Sequence, residues 1–511
     1  MEKGDPQNII KSKEQSARDG NIFSAILLGE IVKSTLGPKG MDKLLIDSNG
    51  NITITNDGVT ILEKMKIEHP IPKIISEIAK TQENEVGDGT TTVTILVGEL
   101  LRNAKNLMDK GIHPTTIIKG YKLSNDKCQE VLREKCHREI TDDILRNVAM
   151  TAMTGKVAES HREFLSGLIV QAVKKTNEKS INPEYIKIER IKGESIDKSK
   201  LVEGIVLDKK IVHHTMPKKI KDAKIILLDN GLEIKQPEFD TQISVTNPEQ
   251  LKAFVTNDKE NLREMIKKIK SSGCNVIFCK KGIDDFVQNE LSKLGIIAVR
   301  RLNEYDLKQL SRATNSRILS SYEDIEESVL GYAGLVEEKE YKDGSLLYVS
   351  ECKDAKSVTL LLCATTSHIL DEVRRAVVDG LGDVITCFRE EEVVAGGGCI
   401  EMILSKELNK FAKTLDSREQ LAVVEFARAL ESIPEILAKN AGLDSINVLT
   451  ELKQRNENNE EVGINLFNEK IEDTYKAGII EPLKIKTQAI SSASEMTNTI
   501  LRIDDILYAN S

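Results

Sequence analysis

The run Gly87-Asp88-Gly89-Thr90-Thr91-Thr92 carries the residue types that phosphate binding requires. Two glycines let the backbone turn tightly and come close to a ligand. Free amides at a helix start, with three adjacent hydroxyls, form a site for phosphate oxygens. Asp88 adds a hard oxygen suited to the Mg²⁺ that accompanies nucleotide phosphates. The same residue types also make an ordinary N-capping run, and this segment alone leaves both readings open.

Two more glycine turns stand elsewhere in the chain. Thr35-Leu36-Gly37-Pro38-Lys39-Gly40 reads, in isolation, as a helix stop. Ala395-Gly396-Gly397-Gly398 permits close approach by a flat group such as a base or ribose, and is equally a tight connection. Hydrolysing ATP needs a carboxylate that orients or deprotonates water in line with the γ-phosphate. Asp57, in a turn between strand and helix, and Asp379, in the helical stretch Arg374-Arg375-Ala376-Val377-Val378-Asp379-Gly380-Leu381, are the candidates. Each also has a plain reading, as turn former or solvated helix residue, and the residues alone do not choose between them. The chain has no GxxxxGK[ST] run, so an ordinary P-loop is excluded as the phosphate site.

The elements that must position these residues are mostly helical in the first third. Ile22 to Ser34 is apolar at helical spacing and stops at Gly37-Pro38. Ile52 to Thr55 alternates as a short strand between the turns Ser48-Asn49-Gly50 and Asn56-Asp57-Gly58. After Gly89 a long amphipathic helix buries Val93, Leu96, Val97, Leu100, Leu101, Ala104 and Leu107, and Gly111 and Pro114 end it.

The middle changes character. Ala223–Leu228, Asn275–Cys279 and Ile296–Arg300 read as strands, and a helix over Asp284–Leu294 makes the last two a parallel βαβ unit. A charged helix, Pro248–Ser271, precedes it. From about Glu401 the pattern is helical again, with Ala489, Ala493, Met496 and Ile500 at helical spacing. A helical start, a mixed centre and a helical end imply one domain inserted in another.

The length of 511 residues leaves room for roughly three or four domains. A formal charge of −9 argues against a general nucleic-acid or membrane-surface binder. The polar stretch Met1–Ser16 lacks the apolar core of a secretory signal, and no run approaches the ~20 apolar residues of a membrane span. Eight scattered cysteines suit reduced thiols in a cytosol. Cys274 and Cys279 lack the partners of a metal quartet, and the adjacent His213 and His214 would point to opposite faces if on a strand.

Together these pieces resemble the group II chaperonins, the archaeal thermosome and the eukaryotic cytosolic chaperonin (TRiC/CCT). The motifs recur in the family's order: Val32 to Lys43, Thr55-Asn56-Asp57-Gly58 and Gly87-Asp88-Gly89-Thr90-Thr91, then Val394-Ala395-Gly396-Gly397-Gly398. Gly463-Ile464-Asn465, Gly478-Ile479-Ile480-Glu481-Pro482 and Ile500 to Asp505 complete the series, so the resemblance spans 17–508. Within the family, Gly398-Cys399-Ile400-Glu401-Met402 is most similar to the beta-type eukaryotic subunit, and the central region is nearly as similar to the thermosome.

The resemblance implies a mixed α and β fold in three domains. A helical equatorial domain would take 1–140 and 395–511, a small intermediate domain 141–203 and 356–394, and an α/β apical domain 204–355. A helical lid extension would lie near 240–272. Carried over by position, Leu36, Gly37 and Pro38 line the nucleotide pocket, Asp88 holds Mg²⁺, and Gly89, Thr90, Thr91 and Thr92 contact phosphates. Gly397 and Glu481 flank the adenosine, with Glu481 near the ribose. Asp379 matches the catalytic aspartate, Asp57 a second acid beside the attacking water, and Lys156 a lysine that senses the γ-phosphate.

The implied ligands are ATP, Mg²⁺ and, as an accompanying monovalent ion, K⁺. The implied partners are paralogous subunits, or identical copies, in a stacked double ring, and non-native polypeptide clients of the actin and tubulin type. Neither nucleic acid nor membrane is expected, and the implied location is the cytoplasm. Two departures stand out: Cys363 lies where relatives usually carry arginine, and Gly380 replaces the usual alanine after the catalytic aspartate. A glycine there costs a helix about 1 kcal/mol. Both put the hydrolysis rate in question and keep alive a ring subunit that serves mainly as scaffold. A stand-alone phosphotransferase is a rival of another class, although no second catalytic cluster accompanies the cradle.

Overall fold

The computed structural model describes residues 9–11, 14–46, 50, 52–65, 69–155, 159–176, 183–233, 248–342, 344–353, 356–458, 460–504 and 507–509. The chain forms two compact units, one from Met1–Ser166 with Arg375–Ser511 and one from Gly167–Arg374.

In the first unit the expected stripe on the Thr90–Asp109 helix is buried throughout. That helix is surrounded by Glu14–Lys33, Pro114–Lys135, Glu419–Asn440 and Leu483–Arg502. With no tryptophan and few aromatics, the core is built from Ile, Leu, Val and Ala. Tyr121 is an exception: its ring meets Phe426 edge-on at 5.4 Å and its hydroxyl donates to the Leu100 carbonyl at 2.8 Å. Burying a phenol this way is tolerable because the polar end keeps a partner. The Ile52–Thr55 strand pairs antiparallel with Lys43–Ile46, and Ile9–Lys11 pairs with Leu507–Ala509.

The second unit is organised on a mixed sheet. Lys219–Leu228, Val276–Cys279 and Ile297–Val299 are parallel neighbours, with the Asp285–Lys293 helix between the last two, as the apolar runs indicated. Gly331–Tyr341, Gly344–Ser350 and Gly204–Leu207 extend the other side antiparallel. The charged helix runs Pro248–Ser272, and the part of the expected lid over 240–247 lies outside the described residues. A separate sheet places Val358–Ala364 between Ile186–Lys192 and Lys200–Val202. Cys363 is buried there, its amide donating to Ser199 Oγ at 3.0 Å, and burial pushes its thiol up.

His213 and His214 are not on a strand. They sit in a turn after Gly204–Leu207, half-buried and exposed respectively, and their rings stack with centroids 4.6 Å apart, so the strand condition for opposite faces is not met. Among the described residues no helix is long and apolar enough to cross a membrane.

Candidate nucleotide site

The Gly87–Gly89 turn joins two helices. Gly87, at φ +83°, closes Pro70–Val86, and Gly89, at φ +87°, is the N-cap of Thr90–Asp109. Both values lie in the left-handed region, where only glycine is unstrained. The capping alternative therefore loses its residue, because the cap position carries no side chain and makes no side-chain cap bond. Asp88 turns back to its neighbour instead, its Oδ1 accepting from the Gly89 amide at 2.6 Å. The helix start keeps the electropositive end that favours anions.

Asp57 does act as a cap: its Oδ2 accepts from the Thr60 amide at 2.9 Å at the start of Gly58–Lys64. The next residue fixes what that turn faces. A Cβ on Gly58 would lie 2.8 Å from Thr91 Oγ1 and 3.2 Å from the Thr91 amide, so the Asp57 turn rests on the start of the Thr90 helix.

The helix Ser367–Glu390, which carries Asp379, comes to the same place. A Cβ on Gly87 would lie 3.0 Å from Gly382 Cα, so helix and turn meet backbone to backbone. Asp379 precedes Gly382 by three residues, on a neighbouring part of the helix surface. Four residues before Asp379, Arg375 Nη1 donates to Thr55 Oγ1 at 3.3 Å, and the same oxygen accepts from the Asp57 amide at 3.1 Å. Gly380 is buried in this helix.

The adenosine-side candidates form a second cluster. Val393–Ala395 pairs with Ile480–Pro482, setting Val394 opposite Glu481. A Cβ on Gly396 would meet Glu481 Oε1 at 2.6 Å. Gly397 has φ +63°, its carbonyl accepts from the Ile464 amide at 2.8 Å, and a Cβ on it would lie 2.5 Å from the Ile464 carbonyl oxygen. Gly397→Ala is expected to cost about 1–3 kcal/mol of stability, from left-handed strain and this clash. Urea unfolding followed by circular dichroism reads it, and an unchanged midpoint would show that the loop has room.

Leu36, Gly37 and Pro38 lie next to these. Asn440 Nδ2 donates to the Leu36 carbonyl at 2.8 Å, and Gly37 packs on Leu437 and Leu466. Gly155 sits against Pro38, where a Cβ would be 2.4 Å from Pro38 Cα. Lys156 itself lies outside the described residues.

Three residues without a role in the sequence reading hold the two clusters together. Lys486 Nζ lies 2.8 Å from Glu401 Oε1 and 2.6 Å from Glu481 Oε2, with Lys486 and Glu401 buried and Glu481 partly open. Burial works against the Lys486 ammonium, but the two carboxylates outweigh it and hold the group protonated. Glu481 is pushed up by burial, pulled down by Lys486, and pushed up again by Glu401 and Asp88, for a net rise. Gln82, fully buried, donates from Nε2 to the Asp88 carbonyl at 3.0 Å, with the Ile485 carbonyl at 3.5 Å. The one signal for these was Glu401 inside the apolar run Ile400 to Leu404, a place where an unpaired charge is costly.

The chemistry of the donors fits a metal-bound triphosphate: Asp88 and the hydroxyls of Thr90, Thr91 and Thr92 are hard oxygens beside a helix start with no side-chain cap. The close approaches at Gly37, Gly58, Gly89 and Gly397 are taken by the chain's own Leu437, Thr91, Ile485 and Ile464.

The chain matches the model of the TCP-1/cpn60 chaperonin family over residues 28–511. It is 47% identical over 507 residues to a thermosome subunit beta of Methanothermobacter thermautotrophicus, covering 99% of this chain and 94% of the relative. A thermosome subunit of Methanothermococcus thermolithotrophicus is 46% identical over 510 residues, with 99% and 94% covered. The thermosome subunit alpha of Methanothermobacter thermautotrophicus is 45% identical over 505 residues, with 99% and 93% covered.

Proposed function

This chain belongs to the TCP-1/cpn60 chaperonin family as a group II member, and from that premise we propose that it is an ATP-hydrolysing subunit of a chaperonin ring that assists the folding of non-native polypeptides in the cytoplasm. The observation that carries the ATPase reading is the meeting of three segments at one turn. The Asp57 turn, the uncapped start of the Thr90 helix and the Asp379 helix all reach Gly87–Thr92.

In this reading Asp88 holds Mg²⁺, and the ion, when bound, neutralises charge on the phosphates. The amides and hydroxyls of Gly89 to Thr92 bind phosphate oxygens. Leu36, Gly37, Pro38, Gly397 and Glu481 shape the adenosine end, Glu481 accepting from ribose hydroxyls. Asp379 orients and deprotonates the attacking water, and Asp57 is the second acid beside that water. Lys156 is proposed as the γ-phosphate sensor, and K⁺ as an accompanying ion.

We assign an equatorial role to 1–140 and 395–511, an intermediate role to 141–203 and 356–394, and an apical role to 204–355. The names alpha and beta among the relatives support assembly with sister subunits, and the proposed assembly is a stacked double ring of paralogues or identical copies. Closure of the ring on ATP would confine the client. Electron microscopy of the purified assembly with and without MgATP tests this. Rings that close on hydrolysis are expected. A monodisperse monomer that phosphorylates a small molecule, or rings that bind ATP without turnover, would defeat the reading.

A further inference from the structure

A single ammonium between two carboxylates in a protein interior is a costly arrangement. Desolvating the three charges offsets much of their attraction, and an apolar substitute of equal size is often as stable. Lys486 nevertheless lies 2.6 Å from Glu481 and 2.8 Å from Glu401, which come from separate segments. What the arrangement does supply is geometry. Glu481 stands on the strand Ile480–Pro482 beside Gly396, while Glu401 is fixed in the buried start of the helix Cys399–Ala412. Lys486 ties the first to the second.

The same helical turn reaches the other end of the site. Ile485, next to Lys486, offers its carbonyl to Gln82 Nε2, and that nitrogen also holds the Asp88 carbonyl at 3.0 Å. Gln82 Oε1 and Glu401 Oε2 are buried without a hydrogen-bond partner among the described residues, so neither is fixed by a competing contact at those atoms. The start of the Leu483–Arg502 helix thus links the acid on the adenosine side to the acid on the metal side.

We infer that Lys486 is a positioning residue for nucleotide recognition, acting through Glu481: it holds that carboxylate at the ribose and ties its place to Asp88. The inference rests on the reading of Glu481 as the ribose-side acid. A carboxylate held in place accepts from ribose hydroxyls more strongly than one free to turn away. Released from Lys486, Glu481 would lose that contact while the phosphate contacts stayed.

The probe is the preference for MgATP over the magnesium complex of 2′,3′-dideoxy-ATP, measured by titration calorimetry on the full chain. The double variant E401M/K486M removes the buried pair and leaves Glu481. Circular dichroism and sizing should match the native chain, while MgATP binding weakens by about 10-fold or more and dideoxy-ATP binding stays within about two-fold. Equal weakening of both nucleotides, or of neither, overturns the inference. Should that variant not fold, Glu401→Gln, which keeps Lys486 on Glu481, is expected to retain the preference, and its loss there would move the control to Glu401 and overturn the inference. A native chain without any preference, or a preference that survives Glu481→Ala, sinks the ribose reading itself. A native preference that Glu481→Ala abolishes but E401M/K486M keeps sinks the brace alone.

Discussion

Replacing Asp379 by Ala is expected to slow ATP turnover by roughly 10²–10⁴-fold, the usual worth of a positioned acid or base. Affinity for MgATP should stay within about two-fold, because the role proposed for this carboxylate, on the attacking water, contributes in the transition state alone. Asp379 sits one helical turn before Gly382, whose Cα would lie 3.0 Å from a Cβ on Gly87. The helix is therefore held against the turn that begins the proposed phosphate cradle. Arg375, one turn before Asp379, is tied through Thr55 to the Asp57 turn, so the second acid shares the same frame. Steady-state phosphate release gives kcat and calorimetry gives Kd. Turnover unchanged in the variant would remove Asp379 from the chemistry, and an equal loss of affinity would assign it to binding.

The largest stability effect should come from Lys486→Met. Removing one partner of a buried ionic cluster leaves charge uncompensated and costs about 3–5 kcal/mol. The pH dependence carries a sign. In the native chain Glu481 already lies above its ordinary value of 4.5, chiefly through burial and against the pull of Lys486. A carboxyl raised on folding contributes stability that is complete below its unfolded value and lost as pH rises through the folded one. Without Lys486 the folded value climbs further and the loss deepens. Lowering the pH from about 7.5 to about 5.5 should therefore recover more stability in Lys486→Met than in the native chain. Urea midpoints at the two values measure this. A variant within about 1 kcal/mol of native, with the native pH slope, would show that water reaches the cluster and screens it.

The regular elements were legible because their periodicity is local. The buried stripe from Val93 to Leu107 follows the 3.6-residue repeat, and the runs ending at Leu228, Cys279 and Val299 are short, apolar and branched. The Gly-Asp-Gly turn was legible as a turn because glycine takes the left-handed backbone that Gly87 and Gly89 adopt, whereas its chemistry was not, since the same residue types also cap helices. Lys486 was not. In the segment Leu483-Lys484-Ile485-Lys486-Thr487 it is chemically the same as Lys484, and only tertiary packing leaves Lys484 outside and takes Lys486 in, where two acids from separate segments await it. Gly382 escaped for the same reason: a glycine in a helix announces a loss of helix propensity, not which backbone will come against it. For His213 and His214 the strand rule was conditional, and its condition is not met because the chain turns there.

The first unit is made of Met1–Ser166 and Arg375–Ser511. Its core cannot close while the ribosome is still making the middle of the chain, since the helices that enclose Thr90–Asp109 include Glu419–Asn440 and Leu483–Arg502. The intervening unit has all its strands in hand before then and is free to fold first. During synthesis the amino-terminal helices wait with their apolar faces uncovered, and Asp88 is not joined through Gln82 to the Leu483–Arg502 helix until Ile485 has been made. If the proposed function holds, a chain that assists the folding of others passes through a stage in which it has the same need.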